Sequence, residues 1–148
     1  LIYTLSGSPH IRKMAHDIAS QLNLKVVNIK SGYSEEPNDG TIHLYEIGPA
    51  EWVGLWAKAK YVVTDSFHGT AFSINFNIPF TTLVNPNSMM NSRVLSILKI
   101  TNLEHRIVYD TLEGDLHPKS IDVDFNECNN ILREWKQKSL NFLLNALK

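Results

Sequence analysis

Along the 148 residues, apolar and β-branched runs alternate with stretches whose apolar positions recur every three or four residues. This is the pattern of repeated strand-helix units, and it predicts an α/β fold with a mainly parallel sheet. Residues 1–5, LIYTL, read as a first strand. SGSP then supplies turn and cap residues, and Ile11, Met14, Ala15, Ile18, Ala19 and Leu22 mark a helix. Residues 25–30 read as a second strand, the polar stretch 31–40 as a surface loop and residues 42–45 as a weaker third strand. Pro49 opens a helix of about two turns. It carries Trp52, Val53 and Trp56 on one side and leads into the strand YVVT, residues 61–64. Residues 67–77 hold no charge except His68, as expected of a helix covered by its neighbours. FTTLV (80–84) is a fifth strand, NPNSMMNS (85–92) a polar loop, RVLSILKI (93–100) a helix and residues 106–110 a sixth strand. The tail, 126–147, repeats Ile131, Leu132, Trp135, Phe142, Leu143, Ala146 and Leu147 at helical spacing, with Lys148 favourably charged at its end. Trp52, Trp56 and Trp135 each fall on an apolar stripe and are expected in the core.

Length and composition narrow the partners. At 43% hydrophobic residues the chain can close one core. With 14 Lys plus Arg against 15 Asp plus Glu it lacks the basic surface that dominates duplex binding, so no nucleic-acid partner is expected. No apolar run reaches the ~20 residues of a transmembrane segment, and no secretory leader is legible. One cysteine, Cys128, and the absence of an N-x-Ser/Thr sequon suit a reducing cytoplasm. Cys128 has no basic neighbour and is expected to be inert. His10, His16, His43, His105 and His117 stand at no metal-ligand spacing, so neither a metal nor another cofactor is expected. The chain starts abruptly in a strand pattern without Met, which suggests a domain excised from something longer.

In an open doubly wound sheet, ligands bind beyond the carboxyl ends of the strands where the strand order reverses. For the order 3-2-1-4-5-6 that crevice lies between the first and fourth strands. It is rimmed by Ser6-Gly7-Ser8-Pro9 and by Asp65-Ser66-Phe67-His68-Gly69. His68 then stands in the first turn of a helix, whose unpaired N–H groups and dipole attract anions. Gly69 would admit a phosphate or carboxylate close to the backbone, and Ser66 and Thr70 offer hydroxyls. Glu46, Asn85, Asn87, Ser88, Asn91 and Arg93 fall on the same rim. The expected ligand is small, anionic and rich in oxygen. Plainer alternatives stand beside this: His68 bonded to a nearby carbonyl, Asp65 and Ser66 as caps, Gly69 for tight packing, and Arg93 paired with a surface carboxylate.

The stretch YVVTDSFHGTAFSINFNIPF resembles the polysaccharide pyruvyl transferase family, especially members with a T-[DN]-S-F-H-G-T-A-F-S signature. IGPAEWVGLWAKAK, NSRVLSILKITNLEHRIV and KSLNFLLNAL are similar to the family's flanking segments. The resemblance covers nearly the whole chain, but only the second half of a family enzyme. It implies the C-terminal Rossmann-like domain of a glycosyltransferase-B-like protein, with an N-terminal domain across a cleft. It also implies transfer of pyruvate from phosphoenolpyruvate to two hydroxyls of a sugar acceptor in a cell-surface glycan or its precursor. A cyclic ketal and phosphate would result, at the cytoplasmic side or the inner membrane surface. By that resemblance His68 matches the family's essential histidine, Arg93 is a phosphate partner, and Ser66, Gly69 and Thr70 form the cradle. Ser6, Gly7, Ser8, Glu46, Asn87 and Ser88 are expected rim contacts. Many members carry Arg two residues before the histidine, where this chain has Ser66, so the cationic anchor must come from Arg93 or from the N-terminal half. Two rival readings are a nucleotide-sugar glycosyltransferase, with Glu46 on the ribose, and a non-catalytic sugar- or phosphate-binding module.

Overall fold

Six strands pair in parallel in the order β3-β2-β1-β4-β5-β6. They are β1 (Ile2–Tyr3), β2 (Val27–Lys30), β3 (Ile42–Tyr45), β4 (Val62–Thr64), β5 (Phe80–Val84) and β6 (Ile107–Tyr109). Between and after them run α1 (Pro9–Leu22), α2 (Pro49–Lys58), α3 (Phe67–Asn75), α4 (Ser92–Ile100) and α5 (Asn126–Ala146). The computed structural model of the chain describes residues 1–30, 32–33, 35–88, 91–111, 118 and 120–147. His117, Lys148 and part of the two polar loops (residues 31, 34, 89 and 90) lie outside the described residues.

Alternate side chains of each central strand feed two separate cores, one on each face. Ile2, Val63, Leu83 and Val108 meet Ile11, Met14, Ala15, Ile18 and Ala19 of α1. Val62, Phe80 and Val84 meet Trp56 of α2, Ile74 of α3, Val94 and Leu98 of α4 and Cys128 of α5. A right-handed crossover requires this arrangement: the chain moves outward from β1 to β2 on one face and from β4 to β5 on the other. Every residue of β5 is buried, as a strand covered on both faces must be. The fold is therefore an all-parallel doubly wound sheet of the Rossmann-like kind, with its reversal between β1 and β4.

Arg106 closes the floor. It is 1% exposed. Its Nε donates to the Phe80 carbonyl, Nη1 to the Ser120 carbonyl and Nη2 to the Tyr61 hydroxyl, each at 2.7 Å. Burial lowers the guanidinium pKa, and it raises that of the Tyr61 phenol. Three neutral oxygens thus hold a cation that would otherwise be costly to bury.

Several expected boundaries move for identifiable reasons. The first strand shrinks from residues 1–5 to Ile2–Tyr3, because the N–H groups of Leu5 and Ser6 turn to the Asp65 carboxylate instead of a neighbouring strand. The helix expected over 67–77 ends at Asn75, and Asn77 turns the chain at a φ of 53°. The larger correction is Trp135. It is 53% exposed and Phe142 is 77% exposed, so neither belongs to the core. Helical spacing specifies an apolar stripe but not what covers it. Among the described residues of α5, Cys128 is buried and Leu132 packs against the core, and every residue after Leu132 is exposed. Among the described residues, no helix is long and apolar enough to cross a membrane.

Candidate active site

Two loops meet at the reversal point, and a carboxylate holds them together. Asp65, directly after β4, accepts from Leu5 N–H at 2.7 Å, Ser6 N–H at 2.9 Å, Thr4 Oγ1 at 2.9 Å and the Ser6 hydroxyl. The capping reading of Asp65 is thereby corrected: Ser66 is the N-cap of α3, and Asp65 clasps the β1–α1 loop. Inside that loop Gly7 turns the chain at a φ of 68° and donates its N–H to Thr4 Oγ1. The Ser6 hydroxyl also accepts from Ser8 N–H.

The two helix starts at this crevice differ. At α1 the Ser8 hydroxyl accepts from His10 N–H, the Ser8 carbonyl accepts from Ile11 N–H, and Pro9 has no N–H to satisfy. At α3 no side chain caps the first turn. The first intrahelical bond runs from Thr70 N–H to the Ser66 carbonyl, which leaves the N–H groups of Phe67, His68 and Gly69 without an intrahelical acceptor. The Ser66 hydroxyl is buried with no hydrogen-bond partner. Open donors and a positive dipole end coincide at α3.

The first turn of α3 is pinned from below. Thr64 Oγ1 donates to the Tyr3 carbonyl at 2.6 Å and accepts from Ser66 N–H. A Cβ on Gly69 would come within 2.9 Å of the Thr64 Cβ, so glycine lets the helix sit on the strand end. The Thr70 hydroxyl is fully buried between the Ser66 carbonyl and the Thr82 hydroxyl. His68 is exposed and its ring has no hydrogen-bond partner among the described residues. It stands edge-on to Phe67, 5.5 Å between centroids. Arg93, exposed at the start of α4, lies over the same Phe67 ring at 5.1 Å and makes no ion pair among the described residues. One ring therefore supports both side chains.

Beside them a groove of about 590 Å³ opens over the carboxyl ends of β1, β4, β5 and β6. Of the expected residues, Ser6, Ser8, Asp65, Asn85, Ser88, Asn91 and Arg93 line it. His68, Ser66, Gly69 and Thr70 adjoin it through Phe67 without lining it. Gly7, Asn87 and Glu46 do not line it either; Glu46 follows β3 at the sheet's far edge, exposed and at a φ of 52°. Sequence reasoning overlooked the two titratable groove residues His10 and Asp110, whose Nδ1 and Oδ1 stand 2.5 Å apart. The signal was partial: each follows a strand's carboxyl end, but nothing in the spacing pairs residues 100 positions apart.

A second polar cluster lies on the other side of α1. Arg12 pairs with Glu36 at 2.5 Å and Asp39 at 3.2 Å, and His16 reaches Thr41 and Asp39. Hydrogen bonds from Thr41, and then from Arg12, hold the Asp39 carboxyl well below the usual carboxylate range. Elsewhere, burial raises the Cys128 thiol pKa, which keeps it protonated and unreactive at neutral pH. Among the described residues no three His, Cys, Asp or Glu side chains gather as a metal-binding group.

A family model described as Polysaccharide pyruvyl transferase matches residues 1–87, from β1 through β5 and into the following loop. A search of curated proteins gives no match.

Proposed function

The chain belongs to the polysaccharide pyruvyl transferase family, and from that premise we propose that it binds phosphoenolpyruvate at the start of α3 and transfers its pyruvyl group to two hydroxyls of a glycan sugar as a ketal. The observation that carries this reading is the uncapped first turn of α3, with an exposed His68 whose ring has no hydrogen-bond partner among the described residues and with Arg93 on the same aromatic ring. A doubly charged phosphate needs convergent donors. The N–H groups of Phe67, His68 and Gly69 supply them together with the helix dipole, and Arg93 adds a full positive charge. Asp65 would oppose an anion if bare, but its two oxygens are already engaged by four donors.

The reaction needs a proton on the methylene carbon of the enol, which develops positive charge at the adjacent carbon and opens it to a hydroxyl. His68 stands where a group can serve as that acid or bind the departing phosphate. Ser66, in place of a cation, leaves Arg93 and the opposite wall of the cleft to neutralise the donor. Gly69 and Thr70 contribute by placement: one lets α3 approach β4, the other fixes the Ser66 carbonyl. In this reading the chain is the C-terminal half of a glycosyltransferase-B-like enzyme that works at the cytoplasmic side, and an N-terminal domain supplies the facing wall.

An NMR titration of the chain tests the donor assignment by following the His68 ring and the Gly69 amide. Saturable shifts at both with phosphoenolpyruvate, and none with a uridine diphosphate sugar, are expected. A response to the nucleotide sugar alone would replace pyruvyl transfer with glycosyl transfer.

A further inference from the structure

We propose that His10 is the base that takes the proton of the attacking acceptor hydroxyl, with Asp110 as its positioning residue; this rests on the pyruvyl-transfer reading above. Both backbones are fixed. Asp110 follows β6 and donates its N–H to the Val84 carbonyl at 2.9 Å, while His10 sits in the capped first turn of α1. The carboxylate lies 2.5 Å from Nδ1, so in the neutral ring Nδ1 carries the proton and Nε2 is a bare acceptor. Nε2 has no hydrogen-bond partner among the described residues, and the ring lines the groove with Arg93 and Asp65. The Asp65 oxygens are occupied by the loop they clasp and Arg93 only donates, which leaves His10 as the proton acceptor of this trio.

The reaction asks for opposite proton transfers at separate places, and two histidines on neighbouring helix starts provide them. His68 gives a proton to the donor's methylene carbon, making the methyl group. The first sugar hydroxyl bonds to the adjacent carbon as its proton passes to His10 Nε2. The bond from that carbon to the phosphate oxygen then breaks, phosphate leaves with the electron pair, and it takes the proton from His10. The second hydroxyl closes the ketal, and its proton restores His68. Two hydroxyl protons are lost; one replaces the proton of the methyl group and the other leaves as hydrogen phosphate.

The test measures phosphate release from phosphoenolpyruvate by the full-length protein containing this chain, with a mixture of p-nitrophenyl hexosides as acceptors. His10→Gln is expected to lower kcat by about 100-fold or more, with the donor Kd within about twofold and the unfolding midpoint unchanged. Imidazole should restore part of the rate to His10→Ala, which a purely structural histidine would not allow. Asp110→Asn should retain more activity than Asp110→Ala, because its amide oxygen still accepts from Nδ1–H. Full activity in His10→Gln, or a loss explained wholly by weaker donor binding, overturns the assignment. If the wild-type protein releases no phosphate, the pyruvyl-transfer reading fails, and ¹⁵N-histidine NMR decides the rest. Saturable movement of His10 Nε2 with the hexosides alone would keep the groove role, and its absence would overturn it.

Discussion

The starts of α1 and α3 face one crevice and solve the same problem in opposite ways. Every helix begins with N–H groups that lack intrahelical partners. At α1 the chain satisfies them itself, through the Ser8 hydroxyl, the Ser8 carbonyl and Pro9. At α3 it does not, and the buried Ser66 hydroxyl there has no partner among the described residues either. On the proposed reading the difference separates a wall from a receptor: the closed start fixes a loop, and the open start keeps its donors for the phosphate of the donor. The most direct way to break this comparison is at His68. His68→Gln should lower turnover by about 100-fold or more. Being exposed, with no hydrogen-bond partner among the described residues, it should leave the unfolding midpoint unchanged. A variant that loses stability in step with activity would make His68 part of the frame.

Asp65 couples the two starts, since it sits at the foot of α3 and grips the loop that leads to α1. Asp65→Ala should cost about 2 kcal/mol in denaturant unfolding, because four donors lose a charged acceptor and most of them can turn to water. It should also weaken phosphoenolpyruvate binding without touching the ligand. Unchanged stability would mean that the loop holds its shape unaided. Ser8→Ala then sharpens the contrast: loss of the α1 cap should cost about 1 kcal/mol and leave donor affinity unaltered. Ser66→Ala should behave in the reverse sense, near neutral for stability and weaker for the donor. If both serine variants lowered only stability, α3 would be no more open than α1.

Much of this contrast was legible in the residue pattern. Apolar, β-branched runs and helical spacing located the strands and helices, and the order of a doubly wound sheet put Ser6–Ser8 and Asp65–Gly69 on one rim. His68 could be found because strand YVVT ends in polar residues immediately before a helix. What escaped was pairing in space. Two of the four donors to the Asp65 carboxylate are backbone N–H groups, which carry no residue signature. His10 and Asp110 lie at the start of α1 and the end of β6, and only the folded sheet brings them within 2.5 Å. Thr70 looked like a ligand hydroxyl because it stands at the start of the helix on the binding rim, yet its Oγ1 turns inward to Thr82. Trp135 looked like core because helical spacing marks an apolar stripe without showing whether anything covers it.

The smallest expected effect concerns how firmly the α1 wall is held along its length. Arg12 and His16, on α1, reach Asp39, which Thr41 also binds. Because Thr41 and then Arg12 depress the folded pKa of Asp39, its ionised form is favoured by folding. That contribution is complete above the ordinary carboxyl range near pH 4 and is lost as the pH falls below it toward the lowered folded value. Partly exposed pairs of this kind contribute little, so Asp39→Asn should lower the thermal midpoint at pH 7 by only roughly 1–2 °C. The gap from wild type should narrow at pH 3, where the unfolded carboxyl is protonated and the advantage of the charged form shrinks. A gap that widened in acid would reverse the sign of the linkage. Since Asp39 holds α1 from the side away from the groove, the substitution should leave phosphoenolpyruvate shifts at Gly69 intact, and a lost response there would mean that α1 and α3 do not act independently.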